Sequence, residues 1–118
     1  MYKYYNANVL GNFENDCVVR SISVATGRSW DDVYERLSDI AQYQGTMMDD
    51  RKFVRRYLST KYKKAIKLGN TVGETAALYP DDVILITMRG HITCSRYGTI
   101  FDSFDCRDKE VEDAWIVK

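Results

Sequence analysis

The chain reads as an α+β protein with N-terminal helices, the first bearing a cysteine, packed on a C-terminal, mainly antiparallel sheet. Three observations predict this. Apolar residues recur at helical spacing between Ser29 and Gly45, strand-length apolar runs take over after Asp82, and Tyr97-Gly98 makes a short break between two such runs.

Each element has its own local cause. Asn15 or Asp16 can cap a helix running to Thr26, with Gly27 placed to end it. Ser29 and Asp32 form a capping box ahead of Trp30, Val33, Tyr34, Leu37, Ile40 and Ala41. Asp49 or Asp50 can start a third helix with Phe53, Val54, Tyr57 and Leu58 as its apolar stripe. Lys64 to Leu68 is a candidate strand, and Thr71 and Glu74 open a short helix that Pro80 closes. Val83 to Met88 is apolar throughout, as in a strand buried on both faces. His91 to Arg96 and Thr99 to Phe104 make a hairpin, and Glu112 to Val117 a last strand.

Composition narrows the function. At 118 residues and 45% apolar content, residues 1–118 form one domain. Formal net charge is zero, so no global field draws the chain to nucleic acid or anionic membrane. Three cysteines without paired spacing argue for free thiols and a cytoplasmic setting. No stretch reaches the roughly 20 apolar residues of a membrane span, and no leader segment is visible.

The hairpin then brings chemistry together. With Tyr97 and Gly98 as loop, Arg96 faces Thr99, Thr93 faces Asp102 and His91 faces Phe104. Side chains alternate, so His91, Thr93, Asp102 and Phe104 share one face, and Asp102 is the diagonal neighbour of His91 at about 7 to 8 Å between backbones. Cys17 stands at a helix start, where the dipole and an adjacent imidazolium favour thiolate. In that arrangement Cys17 is a nucleophile, His91 its base and Asp102 the group that orients the ring. The Cys17 backbone N–H and a side-chain amide, Asn12 in preference to Asn15, would steady an oxyanion, since Asn15 is a candidate cap.

Helix-borne Cys17 in Asn-Asp-Cys-Val-Val-Arg-Ser-Ile, Gly90-His91 opening a strand and Asp102 on the next strand resemble the papain-like cysteine peptidase superfamily. In size and order the chain is most similar to compact NlpC-type and bacteriocin-processing members and to small phage proteins. The resemblance implies a thiol peptidase, deamidase or acyltransferase that uses Cys17, His91 and Asp102, takes a protein or peptide substrate and needs no cofactor. Members often carry an oxyanion glutamine six residues before the cysteine; here that position is Gly11, with Asn12 beside it. The alternative is an inactive scaffold that serves as an interaction module for a host or partner protein.

Cys94 and Cys106 read as packing residues, since neither has a helix start or a suitably placed histidine. No metal site is expected, because no Cys-x-x-Cys pair is present. Eight Lys or Arg residues lie between Arg51 and Lys67, and acids dominate from Asp102 to Asp113. These read as faces that meet within the fold, and nucleic acid is not an expected partner.

Overall fold

Three of the four helices among the described residues start on a side-chain cap. In the computed structural model, which describes residues 1–12 and 14–118, α1 (Cys17–Thr26) follows Asp16 and closes on Gly27, whose positive φ returns its N–H to the Ser23 carbonyl. α2 (Trp30–Gln44) starts where the Ser29 hydroxyl accepts the Asp32 N–H at 3.1 Å. It buries Val33, Leu37 and Ala41 and ends at Gly45. α3 (Arg51–Lys61) is capped by the Asp50 carboxylate, which accepts the Phe53 N–H at 3.0 Å. α4 (Val72–Ala77) is capped by the Thr71 hydroxyl, which accepts the Glu74 N–H and donates to the Glu74 carboxylate, both at 3.1 Å.

The strands are β1 (Tyr2–Tyr4), β2 (Lys63–Lys64), β3 (Val83–Met88), β4 (His91–Arg96), β5 (Thr99–Asp102) and β6 (Val111–Ile116). They form one mixed sheet in the order β1-β5-β4-β3-β6-β2. β1 runs parallel to β5, and the other pairs are antiparallel. All six residues of β3 are buried, as its unbroken apolar run implies. Val83 and Leu85 join the core under α1, α2 and α3, while Ile84, Ile86 and Met88 join the one under α4.

The sequence-based outline needs three changes. β1 was not anticipated, and it makes the sheet mixed; three residues carry too little pattern to announce a strand, and this one exists by pairing with Ile100 to Asp102. The strand expected at Lys64 to Leu68 stops at Lys64. Ala65 still donates its N–H to Ala114 O at 2.8 Å, but the Lys67 N–H turns to the Tyr79 hydroxyl and Ile66 is exposed. The second hairpin strand ends at Asp102 rather than Phe104.

Tyr97 and Gly98 form the hairpin loop with φ of 53° and 85°, the double positive φ of a tight hairpin turn. Arg96 pairs with Thr99, as expected. The basic and acidic segments meet: Arg51 reaches Glu112, and Arg55 and Lys64 both reach Asp113. No helix among the described residues is long and apolar enough to cross a membrane.

Candidate functional site

Three element ends converge. α1 begins with Cys17, β4 begins with His91 after the tight turn at Gly90, and β5 ends with Asp102. His91 Nε2 lies 2.7 Å from Asp102 Oδ2, so the diagonal hairpin relation is made into a hydrogen bond. The Phe104 ring lies against the imidazole, centroids 4.7 Å apart, on the face that the alternation predicts. With Nε2 committed to Asp102, Nδ1 is the ring nitrogen left for the sulfur. Cys17 and His91 line one cavity of about 170 Å³, with Val18, Val54, Met88 and Ile92 as its apolar wall and Arg51 and Glu112 among its polar residues.

The electrostatics follow from these contacts. Burial alone would raise the Cys17 pKa; a hydrogen bond to His91, the imidazolium charge, the Ile92 N–H and the Arg20 charge together bring it below the ordinary thiol value. Burial opposes a charged His91 as well, but Asp102, Cys106 and Cys17 all favour the imidazolium and raise the ring to about 11. Burial works against an ionised Asp102 and is outweighed by His91 and the Ser103 N–H, which take the carboxyl down to about 2. At neutral pH the arrangement is a thiolate facing an imidazolium held by a carboxylate for whatever fraction of Cys17 is ionised. Cys94 is the opposite case, a thiol pushed up to about 12 by burial.

Two residues that sequence reasoning passed over belong to the cluster. Arg20, one turn beyond Cys17, is buried; its Nε donates to Asp16 Oδ1 at 2.7 Å and its Nη1 to Asp102 Oδ1 at 2.9 Å. A lone cation among Val18, Val19 and Ile22 is the sequence signal that could have found it. Cys106 was expected to lack a histidine neighbour, and this is corrected: its Sγ lies 3.9 Å from Asp102 Oδ2 and within 4.8 Å of a His91 ring nitrogen. The turn after β5 brings it back, a return that the chain spacing does not announce.

His91, Asp102 and Cys106 hold potential ligand atoms within 4.8 Å of one another. One oxygen of that carboxylate already faces the Arg20 guanidinium, so the positive charge a cation would bring is supplied by the protein.

Asn12 and Asn15 separate. Asp16, not Asn15, precedes the helix, and no side chain caps it. The reason for preferring Asn12 over Asn15 is thereby removed. Asn15 lines the cavity of Cys17 and His91, whereas Asn12 lines the adjoining one with Trp30, Tyr34 and Met47. The Asp16 carboxylate instead receives Trp30 Nε1 at 2.8 Å and Asn8 Nδ2 at 3.3 Å on Oδ2. Against this geometry, no family model, curated protein or solved structure matches the chain.

Proposed function

We propose that the chain is a papain-like, cysteine-dependent hydrolase or acyltransferase that acts on an amide or peptide bond of a protein or peptide through a Cys17 thioester. The observation that carries this reading is the 2.7 Å hydrogen bond from buried Asp102 to His91, which lines one cavity together with Cys17. The thiolate adds to the carbonyl carbon, and the carbonyl electron pair moves onto oxygen. The first N–H groups of α1, Cys17 among them, have no partner within the helix and face the developing oxyanion, with the Asn15 amide beside them. Collapse expels the amine, which takes its proton from His91 Nδ1. Water then gives a proton back to the neutral ring as it attacks the thioester, releasing the acid and restoring thiolate and imidazolium. A second amine in place of water makes the same intermediate an acyl transfer. The free thiols suit a reducing, cytoplasmic setting.

The test is a library of short peptides incubated with the full chain, with new termini and deamidated side chains read by mass spectrometry. Cys17→Ala is expected to lower turnover by about 10⁶-fold. A folded Cys17→Ala variant with undiminished turnover would reject the proposal.

A second reading is favoured by Gly11 and by the placement of Asn12 in the adjoining cavity. It is a scaffold that binds a partner protein without turnover. Captured partner retained in full by Cys17→Ala, together with no product from any library member, would select it.

A further inference from the structure

Arg20 is the only charged side chain of α1, and it sits on the buried side of that helix. An uncompensated cation there would be strongly destabilising, so its partners define its role. Nε donates to Asp16 Oδ1 at 2.7 Å, and Nη1 donates to Asp102 Oδ1 and Ser103 Oγ, each at 2.9 Å. Asp16 is fixed in turn by Trp30 and Asn8 on its other oxygen. Asp102 is thereby divided: Oδ1 takes Arg20 and the Ser103 N–H at 2.7 Å, and Oδ2 faces His91 Nε2 at 2.7 Å, with Cys106 Sγ at 3.9 Å. The fork spans two carboxylates from one stem, which a lysine ammonium on a flexible chain does not reproduce.

We propose, on the basis of the thiol-site reading above, that Arg20 is the positioning residue of the site: it fixes the Asp102 carboxylate plane, and through it the His91 ring, relative to Cys17 on its own helix. The nucleophile helix and the acid strand become one rigid unit through this side chain. The titratable and charged groups facing the network are Tyr2 from β1, Asp16 just before α1, Cys17 from α1, His91 from β4, and Asp102, Asp105 and Cys106 at and beyond the end of β5. Among them Arg20 is the group that contacts both Asp16 and Asp102.

The experiment is iodoacetamide labelling of the full chain from about pH 5 to 9, with Cys17 modification mapped by mass spectrometry and folding followed by circular dichroism. Arg20→Met is expected to raise the Cys17 midpoint by about one pH unit, which slows labelling near pH 6 about tenfold. Arg20→Lys keeps the charge that acts directly on the thiol but loses the fork, and it should behave like Arg20→Met rather than like the parent chain. Where Arg20→Met does not fold, Arg20→Lys carries the decision. A parent-like midpoint in folded Arg20→Lys would overturn the proposal, because charge alone would then suffice. His91→Ala separates the two levels. A shifted midpoint there with none in the Arg20 variants overturns the role of Arg20 alone, while no shift in His91→Ala overturns the thiol-site reading and this proposal with it.

Discussion

Two ionic clusters tie helices to the sheet, one at β5 and one at β6, toward opposite edges. At β5, Asp16, Arg20, Asp102 and His91 form a chain whose side chains are between 3% and 12% exposed. At β6, Arg51 meets Glu112, and Arg55 and Lys64 meet Asp113, with the cations between 31% and 64% exposed. The residue types are nearly the same. What differs is water: the outer cluster is solvated and screened by salt, whereas in the inner one each charge depends on its neighbours for the solvation it has lost. Burial therefore converts a common surface motif into a site with displaced pKa values, and the same contacts that stabilise its charges also orient the imidazole.

The sharpest way to break this contrast is to remove the centre of the inner cluster. Asp102→Ala leaves Arg20 and His91 facing each other without their shared carboxylate, at an expected cost of about 3 to 5 kcal/mol in urea unfolding. A loss below about 1 kcal/mol would put the cluster in the class of solvated surface pairs and undo the comparison.

The pH dependence of stability sharpens it next. Asp102 is held at about 2 in the fold against an ordinary 3.8, so its contribution is complete above the ordinary value and is lost as pH falls toward 2. His91 is raised from 6.5 to about 11, so its contribution is complete below 6.5 and drains away as pH rises through 11. The stability difference between the parent chain and His91→Ala should thus be largest between pH 3.8 and 6.5 and shrink steadily above pH 6.5. A difference that stays level from about pH 6 to 9 would show that the ring does not carry the charge assigned to it.

The contrast also explains which parts of the molecule were legible in the chain. Ser29 with Asp32 and Thr71 with Glu74 announce helix starts because capping is decided within four residues. His91 and Asp102 could be put on one face because the strand period and a two-residue loop are local rules. Arg20 lies 82 residues from its carboxylate partner, and no periodicity links them. Cys106 reaches the ring by a turn whose path depends on packing, and β1 takes its strand conformation from β5. The choice between Asn12 and Asn15 turned on a cap that loop geometry gave to neither. That Cys17, His91 and Asp102 come near one another was readable; what holds them in place was not, since buried partners are chosen by tertiary proximity.

The smallest expected effect lies in the outer cluster. Arg51 contacts Glu112 at 3.2 Å, but its side chain is 64% exposed, so it keeps most of its hydration and loses little when the partner is removed. Arg51→Ala should cost about 0.5 kcal/mol or less, and roughly 0.5 M salt should bring that close to zero as the Debye length shrinks. The same salt should leave the cost of Asp102→Ala almost unchanged, because counterions do not enter a cluster from which water is excluded. Urea titrations of both variants at low and high salt measure the two responses together. Equal salt sensitivity would mean that solvent reaches both clusters alike, and the orientation of His91 by a buried carboxylate would lose its physical basis.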